Sequence, residues 1–88
     1  MIRIPFIYAD DCKHCQDALS TIENAILKCK HISCDIAKFK YDSKAAVMIA
    51  RAQGIDDLPG FVVGTEVFIG NDYSEERIIK AILKASTP

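Results

Sequence analysis

The sequence predicts an α/β domain in which a four-stranded mixed sheet carries helices on both faces. Three observations predict it. Apolar runs of strand character alternate with stretches of helical period, in the order strand–helix–strand–helix–strand–strand–helix. The first strand–helix–strand segment calls for a parallel pair joined by a right-handed crossover. The last two strands are separated only by Gly64-Thr65, which joins them as an antiparallel hairpin. A sheet with both kinds of neighbour, fed by three helices, buries its two faces most simply by layering.

The first strand is read over Ile2–Tyr8, whose continuous apolar character suits burial on both faces. Pro5 cannot donate to a ladder and is expected near the start of that strand. Asp10 or Asp11 can cap the helix that follows. In that helix Cys15, Leu19, Ile22, Ile26 and Cys29 recur at steps of four and three, and Ala18 and Ala25 widen the stripe over about four turns. Ile32, Cys34 and Ile36 alternate with Ser33 and Asp35 as a half-buried strand, and Lys38-Phe39-Lys40-Tyr41 reads as a solvated loop. Asp42 or Ser43 can cap a second helix over 44–53, with Ala45, Met48, Ile49 and Ala52 on its apolar side and Gly54 as its stop.

Phe61-Val62-Val63 and Glu66-Val67-Phe68-Ile69 form the hairpin, and glycine at its first turn position fits type II′. Asp72 and Glu75 have the spacing of a capping box. In the last helix Ile78, Ile79, Ile82 and Leu83 make the apolar side, with Lys80 and Lys84 toward its C-terminus.

Composition narrows the function. The chain has 88 residues, half of them hydrophobic, and a net charge of −1, which is consistent with one globular domain over residues 1–88. Lysine and arginine are dispersed, which gives no support to a nucleic-acid or membrane-binding surface. The first residues lack the pattern of a signal peptide, and no apolar run is long enough to span a bilayer. A cytoplasmic location is expected, where thiols stay reduced and paired cysteines serve catalysis or metal binding. A monomer is expected.

The chemistry concentrates in Cys12-Lys13-His14-Cys15, a C-x-x-C motif between the first strand and the first helix. In a βαβ context this reads as a thiol–disulfide redox site. The helix dipole favours the thiolate of the first cysteine. Helix phase puts Cys15 on the buried stripe and leaves Cys12 off it, so the two sulfurs differ in access. Lys13 and a protonated His14 lower the Cys12 pKa and Asp10 and Asp11 raise it; the helix amides point at the sulfur while the carboxylates can turn away, so a lowered value is expected. Metal binding is the rival reading, with Cys12, Cys15, Cys29 and Cys34 as ligands and His14 or His31 in addition. Against it, the helix between Cys15 and Cys29 would hold them about 21 Å apart at about 1.5 Å per residue. Cys29 and Cys34 each fill an apolar position and read as small buried hydrophobes.

The order of elements, Cys12-x-x-Cys15 after the first strand, Leu58-Pro59 before the hairpin and the Gly70-Asn71-Asp72 turn together resemble the thioredoxin fold, and the length resembles glutaredoxins and small glutaredoxin-like thioredoxins. The resemblance implies that Cys12 attacks and Cys15 resolves; the tuning of the pair by Lys13 and His14 is read from their charges alone. It implies a cis bond at Pro59, whereas Leu58-Pro59-Gly60 taken locally suits a type II turn with a trans bond. It also implies that the Leu58 backbone pairs with an extended substrate segment, and that Asn71 and Asp72 border a subsite for glutathione as a co-substrate. No resident cofactor is expected. The implied partners are a disulfide-containing protein and an upstream reductant, either a reductase or a small thiol. A cluster bridged between two chains through Cys12 also occurs in glutaredoxin-like proteins. The chain departs from these families in having Asp10 and Asp11 before the motif, Lys13-His14 within it, Phe6 where thioredoxins carry a buried carboxylate, and no tryptophan.

Overall fold

The computed structural model describes residues 1–87. Seven elements follow one another: β1 (Ile2–Tyr8), α1 (Lys13–Lys28), β2 (Cys34–Lys40), α2 (Lys44–Gln53), β3 (Gly60–Val63), β4 (Glu66–Ile69) and α3 (Glu75–Ser86). The strands lie in the order β2-β1-β3-β4. β1 runs parallel to β2, while β3 is antiparallel to both β1 and β4. The mixed sheet read from the sequence is therefore present, with the crossover and the hairpin in their expected places.

Strand alternation divides the apolar side chains between two layers. Ile4, Phe6, Phe61, Val63 and Phe68 join Cys15, Ala18, Ile22 and Ala25 of α1 and Ile78, Ala81 and Ile82 of α3 in one buried cluster. Ile7 and Val62, of opposite parity, are buried outside that cluster, as is Ala46 of α2. Thus α1 and α3 cover one face and α2 the other.

Pro5 sits in the middle of β1 rather than near its start. The geometry of the parallel ladder explains how. Ile2 donates to the Ser33 carbonyl and the Tyr8 carbonyl accepts from Tyr41, so the even-numbered residues of β1 turn their polar groups toward β2. Pro5 is odd-numbered, and its nitrogen faces β3. The β1–β3 ladder comprises only Phe6↔Phe61 and Ile7↔Gly60, and it ends where the proline has no proton to give.

Several local readings are corrected. β2 starts after Ile32 and continues through Lys38, Phe39 and Lys40, the segment read as a loop. Its exposed lysines are compatible with a strand because β2 is an edge. The cap of α1 is Cys12, not Asp10 or Asp11. In α2 the buried side runs through Ala46, with Ile49 and Ala50 half-buried; Ala45 and Ala52 are exposed and Met48 is 63% exposed. The run Ala45–Ala50 is apolar throughout, so it carries no phase information, and the small Ala46 allows the close approach. Ser74, not Asp72, caps α3, its hydroxyl accepting from the Arg77 amide at 3.2 Å. Ala81 is buried in α3 where Leu83 was expected, and Leu83 is half exposed.

Other expectations hold. Ser43 caps α2 and Gly54 ends it with φ +71°. Gly64 has φ +62°, whereas Thr65 does not have a positive φ, which is the sign pattern of a type II′ turn. The Leu58–Pro59 bond is cis, as the resemblance implied and the local type II reading did not.

Candidate functional site

Cys12 and Cys15 are joined as a disulfide with their Cα atoms 5.2 Å apart, a separation suited to the bond. The end of β1 and the start of α1 produce this geometry. After Tyr8 the chain turns, with Cys12 N–H donating to the Ala9 carbonyl, and Cys12 takes up an extended backbone with φ −100° and ψ 103° as the N-cap. Its Sγ accepts from the Cys15 N–H at 3.1 Å. The sulfur thus stands where a helix N-terminus stabilises negative charge. Cys15 faces the core and is only 3% exposed, whereas Cys12 is half-buried. Lys13 and His14 occupy the exposed first turn between them.

The other predicted residues gather at the same end of the sheet. Leu58 is half-buried and Pro59 fully buried. Leu58 shares a surface hollow with Asp10, Asp11, Lys40 and Asp42. The turn after β4 is tied to this loop, because Gly70 N–H donates to the Pro59 carbonyl at 2.7 Å. That bond brings Asn71 and Asp72, both exposed, to the border of the Leu58–Pro59 loop. A second hollow of about 260 Å³ lies beside Cys15, between Phe6, Tyr8, Gln16, Leu19 and Lys38.

Three further residues shape the charge of the site. The β1–β2 register sets Lys40 beside Tyr8, and its ammonium pairs with Asp10 at 2.9 Å. The Asp10 hydrogen bond, with the charges of Asp10 and Asp42, holds the Lys40 pKa above its ordinary value. One of the two carboxylates preceding Cys12 is therefore already matched by a cation. Arg77 engages Asp72 through its carboxylate at 2.9 Å and its carbonyl at 3.2 Å, and stacks over Phe68. Asp57 accepts the Leu58 N–H at 2.8 Å. Sequence reasoning missed Lys40 because it lay in a presumed loop, and Arg77 because its partner was assigned as a cap. An aspartate preceding Leu58-Pro59 is a local turn signal that could have marked Asp57.

Cys29 and Cys34 lie apart from this end. Cys29 is buried as the C-cap of α1, and Cys34 opens β2 half-buried, both as free thiols. Burial pushes the Cys34 thiol above its ordinary value; the nearby Cys29 adds to this and the N-terminal amine opposes it. With α1 intact between Cys15 and Cys29, the four cysteines do not form one cluster, and no group of three or more His, Cys, Asp or Glu residues converges among the described residues. The expected outcome is selective labelling. Iodoacetamide at neutral pH should modify Cys34 several-fold more slowly in the native protein than in urea, and the native rate should rise as pH passes above the ordinary thiol range. Equal native and denatured rates, read by mass spectrometry, would contradict a shielded, neutral Cys34.

Comparison with solved structures bears on the fold. The glutaredoxin-like protein NrdH-redoxin from Escherichia coli, described as having a thioredoxin-like activity profile, superposes with a TM-score of 0.64 at 24% identity, over 89% of this chain and 92% of that one. A thioredoxin-like protein from Clostridium perfringens superposes with a TM-score of 0.76 at 11% identity, over 98% of this chain and 71% of that one. A malarial protein matches at 0.60 and 16% identity, over 99% of both chains. No protein-family model and no curated protein matches the chain. The chain has a thioredoxin-like fold. No helix among the described residues is long and apolar enough to cross a membrane.

Proposed function

We propose that the chain is a cytoplasmic thiol–disulfide oxidoreductase that reduces disulfides in protein substrates. The observation that carries this reading is the pairing of a half-buried Cys12, held at a helix N-terminus, with a buried Cys15, at the end of the sheet where Leu58 borders Asp10 and Asp11. The thioredoxin-like activity described for the E. coli neighbour supports it by analogy.

In the reduced form the Cys12 thiolate attacks one sulfur of a substrate disulfide. A mixed disulfide forms, and the other substrate sulfur leaves as a thiolate and takes up a proton. Cys15, deprotonated, then attacks Cys12 Sγ, which releases the second substrate thiol and leaves the Cys12–Cys15 disulfide seen here. Two electrons and two protons pass from the protein dithiol to the substrate. An external dithiol or thiol reductant, the upstream partner, restores the pair. Lys13 and His14 flank the attacking sulfur and favour its thiolate. The Leu58 backbone receives the extended substrate segment, and Asn71 and Asp72 form the far rim.

The test is a single-turnover reaction. Protein reduced with dithiothreitol and freed of it is mixed with a disulfide-bridged peptide. Release of both peptide thiols, in step with formation of the Cys12–Cys15 disulfide, is the expected result. A dithiol that stays reduced in the presence of excess peptide would sink the proposal.

A further inference from the structure

We infer that Asp57 selects the substrate: its carboxylate covers the backbone donor that an incoming strand needs, and it yields that donor to disulfide segments bearing a cationic side chain in preference to anionic ones. The inference rests on the oxidoreductase reading above and gives it a substrate class.

The geometry begins at Leu58. A substrate strand pairing with this residue requires its N–H and its carbonyl. The N–H is already donated to Asp57 Oδ1 at 2.8 Å. The other oxygen, Oδ2, lies so near Gly70 that a β-carbon built there would come within 2.9 Å of it. The Asp57 carboxylate therefore stands between the Leu58–Pro59 loop and the Gly70–Asp72 turn, which the Gly70-to-Pro59 hydrogen bond holds together. That is also the border assigned from resemblance to an anionic tripeptide, and here it carries a negative charge of the protein's own.

The charge is uncompensated. Asp10 is paired with Lys40 and Asp72 with Arg77, but among the described residues Asp57 has no ion-pair partner. Its side chain is exposed, so it can rotate off the Leu58 N–H without disturbing the core. An incoming lysine or arginine gives the displaced carboxylate a new partner, and the freed N–H then bonds to the substrate backbone. An incoming carboxylate meets repulsion and leaves Asp57 in place. The reacting centre remains the Cys12 sulfur; Asp57 decides which disulfides reach it.

The experiment compares two disulfide-bridged peptides of the same length, one with lysine and one with glutamate beside the bridged cysteine, as single-turnover substrates of the dithiol protein. The parent should reduce the lysine peptide about tenfold faster at low ionic strength, with the ratio shrinking toward unity at about 1 M salt, where the screening length falls to about 3 Å. Asp57→Asn keeps the shape and an acceptor for the Leu58 N–H but removes the charge. It should cut the ratio several-fold, chiefly by speeding the glutamate peptide, while Asp57→Glu restores the preference. A purely structural role for Asp57 would slow both peptides alike and leave the ratio and its salt dependence intact, which would overturn the inference. A parent ratio near one would also overturn it, while thiol release from both peptides would leave the oxidoreductase reading standing. Release from neither peptide would overturn that reading and this inference with it.

Discussion

Cys12→Ser is expected to reduce disulfide exchange to the uncatalysed background, and Cys15→Ser to stop the reaction one step later, as a covalent adduct through Cys12. The two cysteines are three residues apart and chemically identical in the unfolded chain. The fold makes them unequal. Cys12 caps α1, half-buried and with its sulfur accepting from the Cys15 amide, while Cys15 points into the cluster around Phe6 and Ile22 and is 3% exposed. Exchange rates follow the thiolate fraction and the access of the attacking sulfur. Cys12 has both advantages, and Cys15 gains a partner only once the mixed disulfide places an electrophilic sulfur beside it. Mass spectrometry of peptide digests after incubation with a disulfide peptide reads the adduct site. An adduct carried mainly by Cys15 in the Cys12→Ser variant, at a rate near the parent's, would falsify this division of roles. The Cys29→Ala, Cys34→Ala double variant serves as the control: both side chains lie at the other end of α1 or beyond it, and turnover should stay within about twofold of the parent.

How legible the site was depended on whether its geometry is local. The C-x-x-C motif, its junction between strand and helix, and the exposure difference between its sulfurs are all functions of helix phase, and helix phase is written in the positions of Ala18, Ile22 and Ala25. The charge pattern is not local. Lys40 reaches Asp10 only because the parallel register places it beside Tyr8, and it stands at the charged end of β2, the part of that strand read as a loop. Arg77 reaches back five residues to Asp72 and removes that carboxylate from the capping role its spacing suggested. Asp57 matters through a bond to its neighbour's amide, a conformation that hydrophobic pattern does not encode. The same limit applies to the core. The buried stripe of α1 was read correctly because its apolar positions are separated by polar ones, whereas α2, apolar over six consecutive positions, gave the wrong face.

Phe61→Ala is expected to be the most damaging core substitution, costing about 3–5 kcal/mol and lowering the midpoint of thermal unfolding by on the order of 20 °C. Phe61 is fully buried and belongs to both ladders of β3, opposite Phe6 in β1 and opposite Phe68 in β4. Those registers place three phenylalanine rings together, Phe61 stacking on Phe68 at 4.8 Å between centroids and meeting Phe6 at 6.0 Å, and the ring of Tyr73, from the segment after β4, meets Phe61 edge-on at 6.0 Å. Such pairs contribute beyond the area they bury. The loss would remove a large share of the roughly 5–15 kcal/mol that stabilises a domain of this kind. Leu83→Ala, half exposed on α3, should change stability by no more than about 0.5 kcal/mol. The effect reaches the site through the backbone. The β1–β3 ladder has only two residue pairs, and Gly60 in one of them follows Pro59 directly, so loosening Phe61 releases the Leu58–Pro59 loop from its place beside Asp10 and Asp11, which precede Cys12. At temperatures where the variant is still folded, disulfide exchange should therefore fall several-fold while alkylation of the reduced Cys12 by iodoacetamide, which needs no docked strand, stays near the parent rate. Urea titration and the two rates together decide it. A variant within about 1 kcal/mol of the parent would place the weight of the core elsewhere, and equal losses in both rates would mean that the loop does not receive the substrate.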